Sequence, residues 1–295
     1  MDASETKTTK TSILPPVSGS ANAAGHYFQC LRASLGHSLT LMVRRQRIIL
    51  AAVIVLLPVA IPLAQAFLSP SQFEESGLAV FDKMAREAHI NTLAPLLALF
   101  FATMIIGEDV ESRTIPLMLI RPMPRSAWVL GRFVSYMIVS TALLGSSLFF
   151  TFAASTVMAK LSFDAAGFEY LLHYEFAMVM GLLANGAFAL FLGATTKRPI
   201  VFGVLFLYGW QYLANKVPGV VDFLTIKKYT NELLPVTLQA ANKLLPEDMI
   251  YTKQEIYVVA GQAAIALLII TITLLALSVA MVRFREYAMD RAVGS

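Results

Sequence analysis

Charged residues are scarce in this sequence. Only 14% of its 295 residues are Asp, Glu, Lys or Arg, whereas 57% are hydrophobic. An average soluble domain carries about 25% charged residues, so an ordinary water-soluble globular protein is excluded. A chain with so many apolar residues also collapses rather than staying disordered over most of its length. The single cysteine, Cys30, excludes an internal disulfide framework and any cysteine-based metal cluster.

Long uncharged apolar runs dominate the chain. A helix that crosses the ~30 Å hydrocarbon layer needs roughly 20 mostly apolar residues. Arg and Lys are absent from the cores of six such runs, as the cost of burying a charge in lipid requires. The runs are Ile48–Phe67, Thr92–Ile106, Phe133–Val157, Phe176–Thr196, Ile200–Leu213 and Ile256–Val282. We therefore expect an all-α membrane protein with six transmembrane helices, the second and fifth being short at 15 and 14 residues.

The placement of Lys and Arg predicts the topology. With six spans both termini lie on one side, and 15 of the 23 Lys and Arg residues fall on that side. Because such residues mark cytoplasmic loops, we expect both termini in the cytoplasm of a multi-pass plasma (bacterial inner) membrane protein. The cytoplasmic side carries a net charge of +8 and the outer side −4. Anionic membrane lipids account for this basic face, and no nucleic acid is needed as a partner.

Two different segments precede the first apolar run. The first lacks periodicity and is rich in Ser, Thr, Lys, Ala and Pro. The second has apolar residues every four positions, at Tyr27, Leu31, Leu35, Leu39 and Val43. This spacing predicts an amphipathic interfacial helix, with a cytoplasmic extension of the first span as the alternative. The predicted segments are a disordered cytoplasmic tail (1–25), the amphipathic helix (26–47), the six-helix transmembrane domain (48–282) and a cytoplasmic tail (283–295).

Two outer loops carry their own signals. Ser71 and Glu74 fit a capping box, and the apolar residues of Leu78–Ala88 follow at helical spacing, so we expect a short surface helix there. The last outer loop, Ala214–Glu255, is long for a simple connection, and long loops in compact structures are commonly functional. Re-entry of this loop into the membrane stays an open alternative, since irregular backbone there must be covered by protein or water.

The cytoplasmic loop between the second and third runs holds the most informative motif. It opens with three acids, Glu108, Asp109 and Glu111. Thr114 can cap a new helix, in whose first turn Pro116 is tolerated. That helix, Ile115–Ile120, is almost wholly apolar and stops before Pro122. A short apolar helix between charged flanks is suited to docking into a groove of another protein, with attachment to the lipid surface as the alternative.

This pattern resembles the type-2 exporter class of ABC transporter permeases. Members of the class typically show an acidic pair, Gly-Thr, Leu-rich residues, Pro, Ser-Arg and Gly-Lys in that order. Gly131-Arg132 stands where Gly-Lys is usual, while Arg113 before the Thr and Pro116 inside the short helix depart from the pattern. The topology, the N-terminal helix and the long last outer loop are also similar. The resemblance implies a short cytoplasmic coupling helix that binds an ATPase through Glu108, Asp109, Glu111, Thr114, Leu117, Arg121 and Arg125.

The ATPase itself is expected in another chain. No G-x-x-x-x-G-K-[ST] phosphate loop occurs in the sequence, nor any Gly-Lys pair. The segments outside the spans are also too short for a nucleotide-binding domain. The resemblance implies that ATP and Mg²⁺ bind to separate ABC ATP-binding subunits, two of which assemble with two copies of this permease. A two-fold dimer is the commonest closed assembly.

The two short runs point to a substrate path. They hold corresponding places in the two halves of the chain, and paired short segments mark the path in secondary transporters. By analogy with that rule, and in agreement with the resemblance, the second and fifth helices face a central cavity. Ordinary helix packing with an interfacial aromatic belt is the alternative. The path candidates are Phe100, Thr103, Tyr208, Trp210, Gln211 and Tyr212.

Other residues of the runs are expected to act in packing. Asn185 and Gln262 are uncharged polar residues that we expect to hydrogen-bond between helices. Gly181, Gly186 and Gly193 would permit close approach of a neighbour to the fourth span.

Two other function classes compete with transport. An intramembrane enzyme would need catalytic Asp, Ser–His or metal-binding His residues at membrane depth, and the six cores contain no Asp, Glu or His. A membrane anchor or signalling scaffold that moves nothing would have no ATPase partner. We therefore expect a transport subunit that is not itself an enzyme. Its uncharged lining suits lipid-linked, amphipathic or peptide-like cargo better than a small ion.

Overall fold

The computed structural model describes residues 21–68, 77–103, 124–157, 163–196, 198–214, 220–235 and 259–284. These residues are helical almost throughout, and no β-strand occurs among them. The all-α expectation is confirmed for this part of the chain. The capping box at Ser71–Glu74, both chain ends and most of the last outer loop lie outside the described residues.

Two helices form the N-terminal part. α1 spans Ala21–Met42 and α2 spans Arg45–Leu68. α1 therefore begins and ends five residues before the predicted helix 26–47. Its fully buried face consists of Ser34, Ser38 and Met42, each one position before a residue of the predicted apolar stripe. Small serines face the neighbouring helix because its backbone passes close by, and the apolar stripe lies beside that contact.

α3 is one continuous helix that changes its winding. Its successive parts are Gly77–Lys83, the π-helical Met84–Leu93, the α-helical Ala94–Leu97 and the π-helical Ala98–Ala102. The residues that join these parts all have helical backbone angles. In the first π-helical part the hydrogen bonds reach back five residues, as from the backbone N–H of Ala94 to His89.

The helix predicted at Leu78–Ala88 is present, but the prediction that it is short and lies on the surface is wrong. Residues from Leu78 to Ala88 belong to α3, where Phe81 and Ala85 are fully buried. The Phe81 ring lies 5.3 Å from the Phe152 ring and 5.2 Å from the Tyr174 ring, measured between centroids. Their edge-to-face packing holds this segment inside the bundle rather than on its surface.

The described residues from Pro124 onward form two very long helices, a short composite helix, a 3₁₀ turn with a short helix, and a final long helix. α4 spans Arg125–Ser155 and α5 spans Ala165–Thr195. Asp164 caps α5, since its carboxylate accepts a 2.8 Å hydrogen bond from the Gly167 N–H. The later elements are α6 (Pro199–Val204, the π-helical Leu205–Trp210 and Gln211–Ala214), a 3₁₀ turn (Val220–Leu224), α7 (Ile226–Glu232) and α8 (Ala260–Phe284).

Four helices in the described part of the chain are long and apolar enough to cross a membrane. They are Arg45–Gln65, Arg125–Ser155, Ala165–Thr195 and Ala260–Arg283, and Pro199–Trp210 is a shorter apolar helix. The chain is therefore a multi-pass membrane protein. The described part of the second predicted run lies in α3, and the fifth run lies in α6. α3 is too polar in its first half, and α6 is too short, to belong to this set of four.

α4 lies at the centre of the packing. It contacts α1, α2 and α5, and α5 in turn packs against α8. Tyr136 of α4 is fully buried, and its hydroxyl donates a 3.1 Å hydrogen bond to the carbonyl oxygen of Leu182 in α5. A Cβ added to Gly186 would lie 2.1 Å from Cε1 of that ring. The expected close packing at Gly186 is thus confirmed, because only hydrogen leaves room for the tyrosine.

The two predicted interhelical hydrogen bonds do not form among the described residues. Asn185 is buried, but its amide Nδ2 donates to the Gly181 carbonyl of its own helix at 2.9 Å. Gln262 is exposed near the start of α8. The carbonyl four residues back lies within reach of any short polar side chain on a helix, so Asn185 binds locally instead of across the interface.

Candidate functional site

Most of the predicted coupling motif lies outside the described residues. Glu108, Asp109, Glu111, Thr114, Leu117 and Arg121 fall in residues 104–123, so only Arg125 can be placed. Arg125 is the first residue of α4 and stands where the loop enters that helix. Its surroundings show what the end of the loop is attached to.

Arg125 binds the end of the last helix. Its Nη1 donates to the carbonyl oxygen of Val282 at 3.3 Å and to that of Arg283. Both carbonyls belong to the last turn of α8, where backbone acceptors have no partner within the helix and the helix dipole attracts a cation. The end of the loop is therefore fastened to two helices at once, α4 covalently and α8 through this guanidinium.

The first turns of α4 also anchor α1. Ser34 donates a 2.9 Å hydrogen bond to the Trp128 carbonyl, and Ser135 donates a 3.0 Å bond to the Leu35 carbonyl. A Cβ on Gly131 would lie 2.7 Å from the Ser34 Cβ and 3.0 Å from the Leu31 carbonyl oxygen. Gly131 thus permits the close approach of the two helices on which both hydrogen bonds depend.

The arginine after this glycine is buried rather than presented to a partner. Arg132 is 1% exposed, and its guanidinium carbon lies 4.3 Å from the centre of the Trp128 ring. A cation over an indole face is the strongest of the cation–π arrangements. Gly131 therefore serves the contact between α1 and α4, whereas Arg132 packs on Trp128 of its own helix.

α3 and α6 pack antiparallel beside each other. Tyr208 of α6 donates a 2.7 Å hydrogen bond to the Thr92 carbonyl of α3. Further along, a Cβ on Gly203 would lie 2.1 Å from Cδ2 of Leu99, so this leucine fills the space above the glycine. The two helices that hold the path candidates are thus in direct contact.

The path candidates lie at two levels of this helix pair. Phe100 and Thr103 lie near the end of the described part of α3, about 15 Å along the helix from Thr92, which Tyr208 reaches. Thr103 and Gln211 are buried, and the Thr103 hydroxyl donates to the Leu99 carbonyl of its own helix. Trp210 is 36% exposed. The side chain of Tyr212 lies outside the described residues.

Three of the six path candidates lie in two of the three described π-helical segments. Phe100 lies in Ala98–Ala102, and Tyr208 and Trp210 lie in Leu205–Trp210. Thr103 and Gln211 are the residues that follow directly after these two segments. Stretches of π-helix are rare and are frequently found at functional sites. Sequence patterns gave no sign of the altered winding, because it does not disturb the apolar composition.

A buried polar cluster was missed in the sequence. His89 Nε2 lies 3.0 Å from Ser147 Oγ, and that hydroxyl donates a 2.6 Å hydrogen bond to the Val55 carbonyl. Nδ1 of the same histidine lies 3.1 Å from the Met84 carbonyl oxygen. These contacts join α2, α3 and α4. The three helices come together only in the folded chain, so residue spacing in the sequence could not predict this cluster.

No metal centre is present among the described residues, since no three His, Cys, Asp or Glu side chains come together there. The described helices instead offer an apolar bundle with a few buried polar contacts. This chemistry is suited to passage or anchorage of apolar groups.

Comparison with known proteins agrees with this architecture. A family model described as ABC-2 family transporter protein matches residues 41–209, more than half of the chain. The matched stretch begins just before α2 and ends within α6, so it contains the acidic loop and the α3–α6 pair. The comparison with curated proteins gave no match. The extent of the family match shows that the chain belongs to the ABC-2 family of transporter proteins.

Proposed function

We propose that this protein is the membrane-spanning permease subunit of an ATP-driven exporter. Family membership supports a role as a transport subunit that is not itself catalytic. The proposed working unit is a dimer of this chain with two ABC ATP-binding subunits, which bind ATP and Mg²⁺. The observation that carries the proposal is the family match over residues 41–209, because it includes the loop that would contact the ATPase.

In the proposed mechanism the loop 107–125 transmits movement of the ATPase to the membrane helices. The contact of Arg125 with the last carbonyls of α8 supports this role, because a displacement of the loop would shift the ends of α4 and α8 together. The shift would then reach α5, which packs against both helices. The α3–α6 pair would line the path for lipid-linked, amphipathic or peptide-like cargo.

The proposed topology has six spans and cytoplasmic termini. α3 runs from Gly77 to Ala102 and exceeds the roughly 20 residues that a span requires. Of the charges in its first half, Lys83 and Glu87 are exposed, and the buried Asp82 pairs with Arg86 at 3.3 Å. α6, from Pro199 to Ala214, is short, and local thinning of the bilayer accommodates such a helix at modest cost.

The coupling role is tested by removing the charge of the acidic cluster. We expect the triple variant Glu108→Gln, Asp109→Asn, Glu111→Gln to lose about tenfold or more of the co-purifying ATPase activity, since charged contacts at an interface are costly to break. The measurement is ATPase activity and ATP-driven transport of the permease purified with its membrane. Asp2→Asn, Glu5→Gln, Glu286→Gln is the matched control, because it removes three acids from the same proposed face.

Two results would contradict the coupling proposal. One is equal ATPase association and transport in the acidic-cluster variant and the control. The other is the absence of any ATPase from wild-type preparations, which favours the membrane anchor or scaffold.

The topology is tested with single cysteines. In a Cys30→Ser background, we expect Ser71→Cys to react with a membrane-impermeant maleimide in intact cells. Ser4→Cys is expected to react only after the membrane is permeabilised, because the N-terminal tail is proposed to be cytoplasmic. Labelling of Ser4→Cys in intact cells would reverse the proposed orientation. Both sites exchange serine for cysteine, so a difference in labelling reports location rather than chemistry.

A further inference from the structure

Glu175 is a carboxylate inside a membrane-spanning helix. It lies ten residues after the start of α5, within the span Ala165–Thr195, and is half-buried. Its neighbour across the helix interface is Gly145, ten residues before the end of α4. Both positions are therefore about 15 Å from the end of the α4–α5 hairpin. The predicted fourth run began one residue later, at Phe176, so the sequence placed this acid outside the core.

The carboxylate occupies a notch over a glycine. A Cβ added to Gly145 would lie 3.1 Å from Oε2 of Glu175, so the missing side chain on α4 makes room for the acid. Two other acids that are buried or partly buried have partners: Asp82 pairs with Arg86, and Glu232 pairs with Lys228 at 3.1 Å. For Glu175, no hydrogen bond or ion pair forms with any residue in the described ranges of the chain.

The surroundings of the notch are apolar and open. On α5, Leu172 is 54% exposed and Phe176 is 53% exposed, one turn before and one residue after the acid. On α4, Phe149 is 41% exposed, one turn beyond Gly145. The half-buried carboxylate thus lies on a part of the α4–α5 surface where exposed apolar residues, two of them phenylalanines, stand within about a turn of Glu175 or Gly145.

A carboxylate beside exposed apolar residues favours a ligand that is both cationic and apolar. An ionised carboxylate at membrane depth is costly, and such residues normally pair or line a functional path. A bare metal ion would need several oxygen ligands, and no cluster of three or more His, Cys, Asp or Glu exists among the described residues. An organic cation offsets the charge, buries its apolar body against the exposed residues and gains cation–π contacts with phenylalanine.

We infer that Glu175, in the notch over Gly145, is the anionic centre of a binding site for hydrophobic organic cations on the α4–α5 surface. A role of this site in cargo selection would rest on the proposed function. Binding itself does not, so a failure of ATPase coupling leaves the inference standing.

The test is binding of tetraphenylphosphonium to the full-length purified protein in lipid nanodiscs. We expect saturable binding to the wild type and about tenfold weaker binding to Glu175→Gln, which keeps the shape of the side chain and removes its charge. Glu169→Gln is the matched control, since Glu169 is exposed one and a half turns away on the same helix, and its substitution should leave binding unchanged. Gly145→Leu should also weaken binding, because it fills the notch while Glu175 keeps its charge.

Tetraphenylborate, which has the same shape and the opposite charge, separates electrostatics from simple apolar contact. We expect it not to compete for the site. The inference is overturned by equal cation binding to Glu175→Gln and the wild type, by equal competition from tetraphenylborate, or by the absence of saturable binding to the wild type. A loss of dimer in Glu175→Gln without cation binding in the wild type would assign the acid to a subunit contact instead. Elution volume in size-exclusion chromatography reports that outcome.

Discussion

Gly186→Ala is expected to lower the stability of the protein strongly. The new Cβ would lie 2.1 Å from Cε1 of Tyr136, far inside van der Waals contact. The ring cannot move away easily, because Tyr136 is fully buried and its hydroxyl is bound to the Leu182 carbonyl. Overpacking of a core typically costs about 1–3 kcal/mol, and we expect the upper part of that range. Thermal unfolding in detergent measures the effect.

Gly203→Ala is the matched control for this prediction. Its Cβ would also lie 2.1 Å from a neighbouring atom, but that atom is the terminal Cδ2 of Leu99. A leucine methyl moves by rotation of its side chain, whereas a hydrogen-bonded aromatic ring does not. We therefore expect a clearly smaller loss of stability for Gly203→Ala. In a Tyr136→Ala background Gly186→Ala should cost little, and an unchanged cost there would contradict the steric explanation.

Gly131→Ala is expected to detach α1 from α4. The added Cβ would meet the Ser34 Cβ at 2.7 Å and the Leu31 carbonyl oxygen at 3.0 Å. Relief requires the helices to separate, which breaks the hydrogen bonds of Ser34 to Trp128 and of Ser135 to Leu35. Loss of the buried Ser34 bond costs about 1 kcal/mol in addition to the packing, while Ser135 keeps the Gly131 carbonyl of its own helix as acceptor at 2.8 Å. Limited trypsin digestion at Arg32 measures the detachment as faster cleavage.

The control for Gly131→Ala lies on α1 itself. A Cβ added to Gly36 would meet open space, so Gly36→Ala should leave the rate of cleavage at Arg32 unchanged or lower it through higher helix propensity. Ser34→Gly in the Gly131→Ala background removes one of the two close contacts and should restore part of the protection. Equal cleavage of the wild type and Gly131→Ala would show that α1 does not depend on this glycine.

The candidate site was predictable only in part. The two short apolar runs led to α3 and α6, and the structure shows these helices in contact through Tyr208 and Gly203. The π-helical winding of both helices was invisible in the sequence, since it depends on backbone hydrogen bonds rather than on composition. The role of Arg125 in binding the end of α8 could not be foreseen either, because the two lie 157 residues apart along the chain.

The start of α3 shows where a prediction from the sequence was wrong. A capping box at Ser71–Glu74 and the apolar spacing of Leu78–Ala88 predicted a short surface helix there. In the fold Asp82 is buried, accepts a hydrogen bond from Tyr174 and pairs with Arg86, so these two charges are accommodated inside the bundle. Burial of polar groups depends on partners that come from distant segments, and a local pattern contains no information about them.

The sequence by itself determined the class of the protein, an all-α multi-pass membrane protein. The free energy gained when apolar side chains leave water is roughly proportional to their apolar surface. Composition and the length of apolar runs are therefore enough to predict that helices enter a membrane. Tertiary structure decided which glycines face a neighbour, which polar groups find partners and where the backbone changes its winding. Those properties depend on contacts between residues far apart in sequence, such as Tyr136 with Gly186 and Ser34 with Gly131, and only the packed bundle creates them.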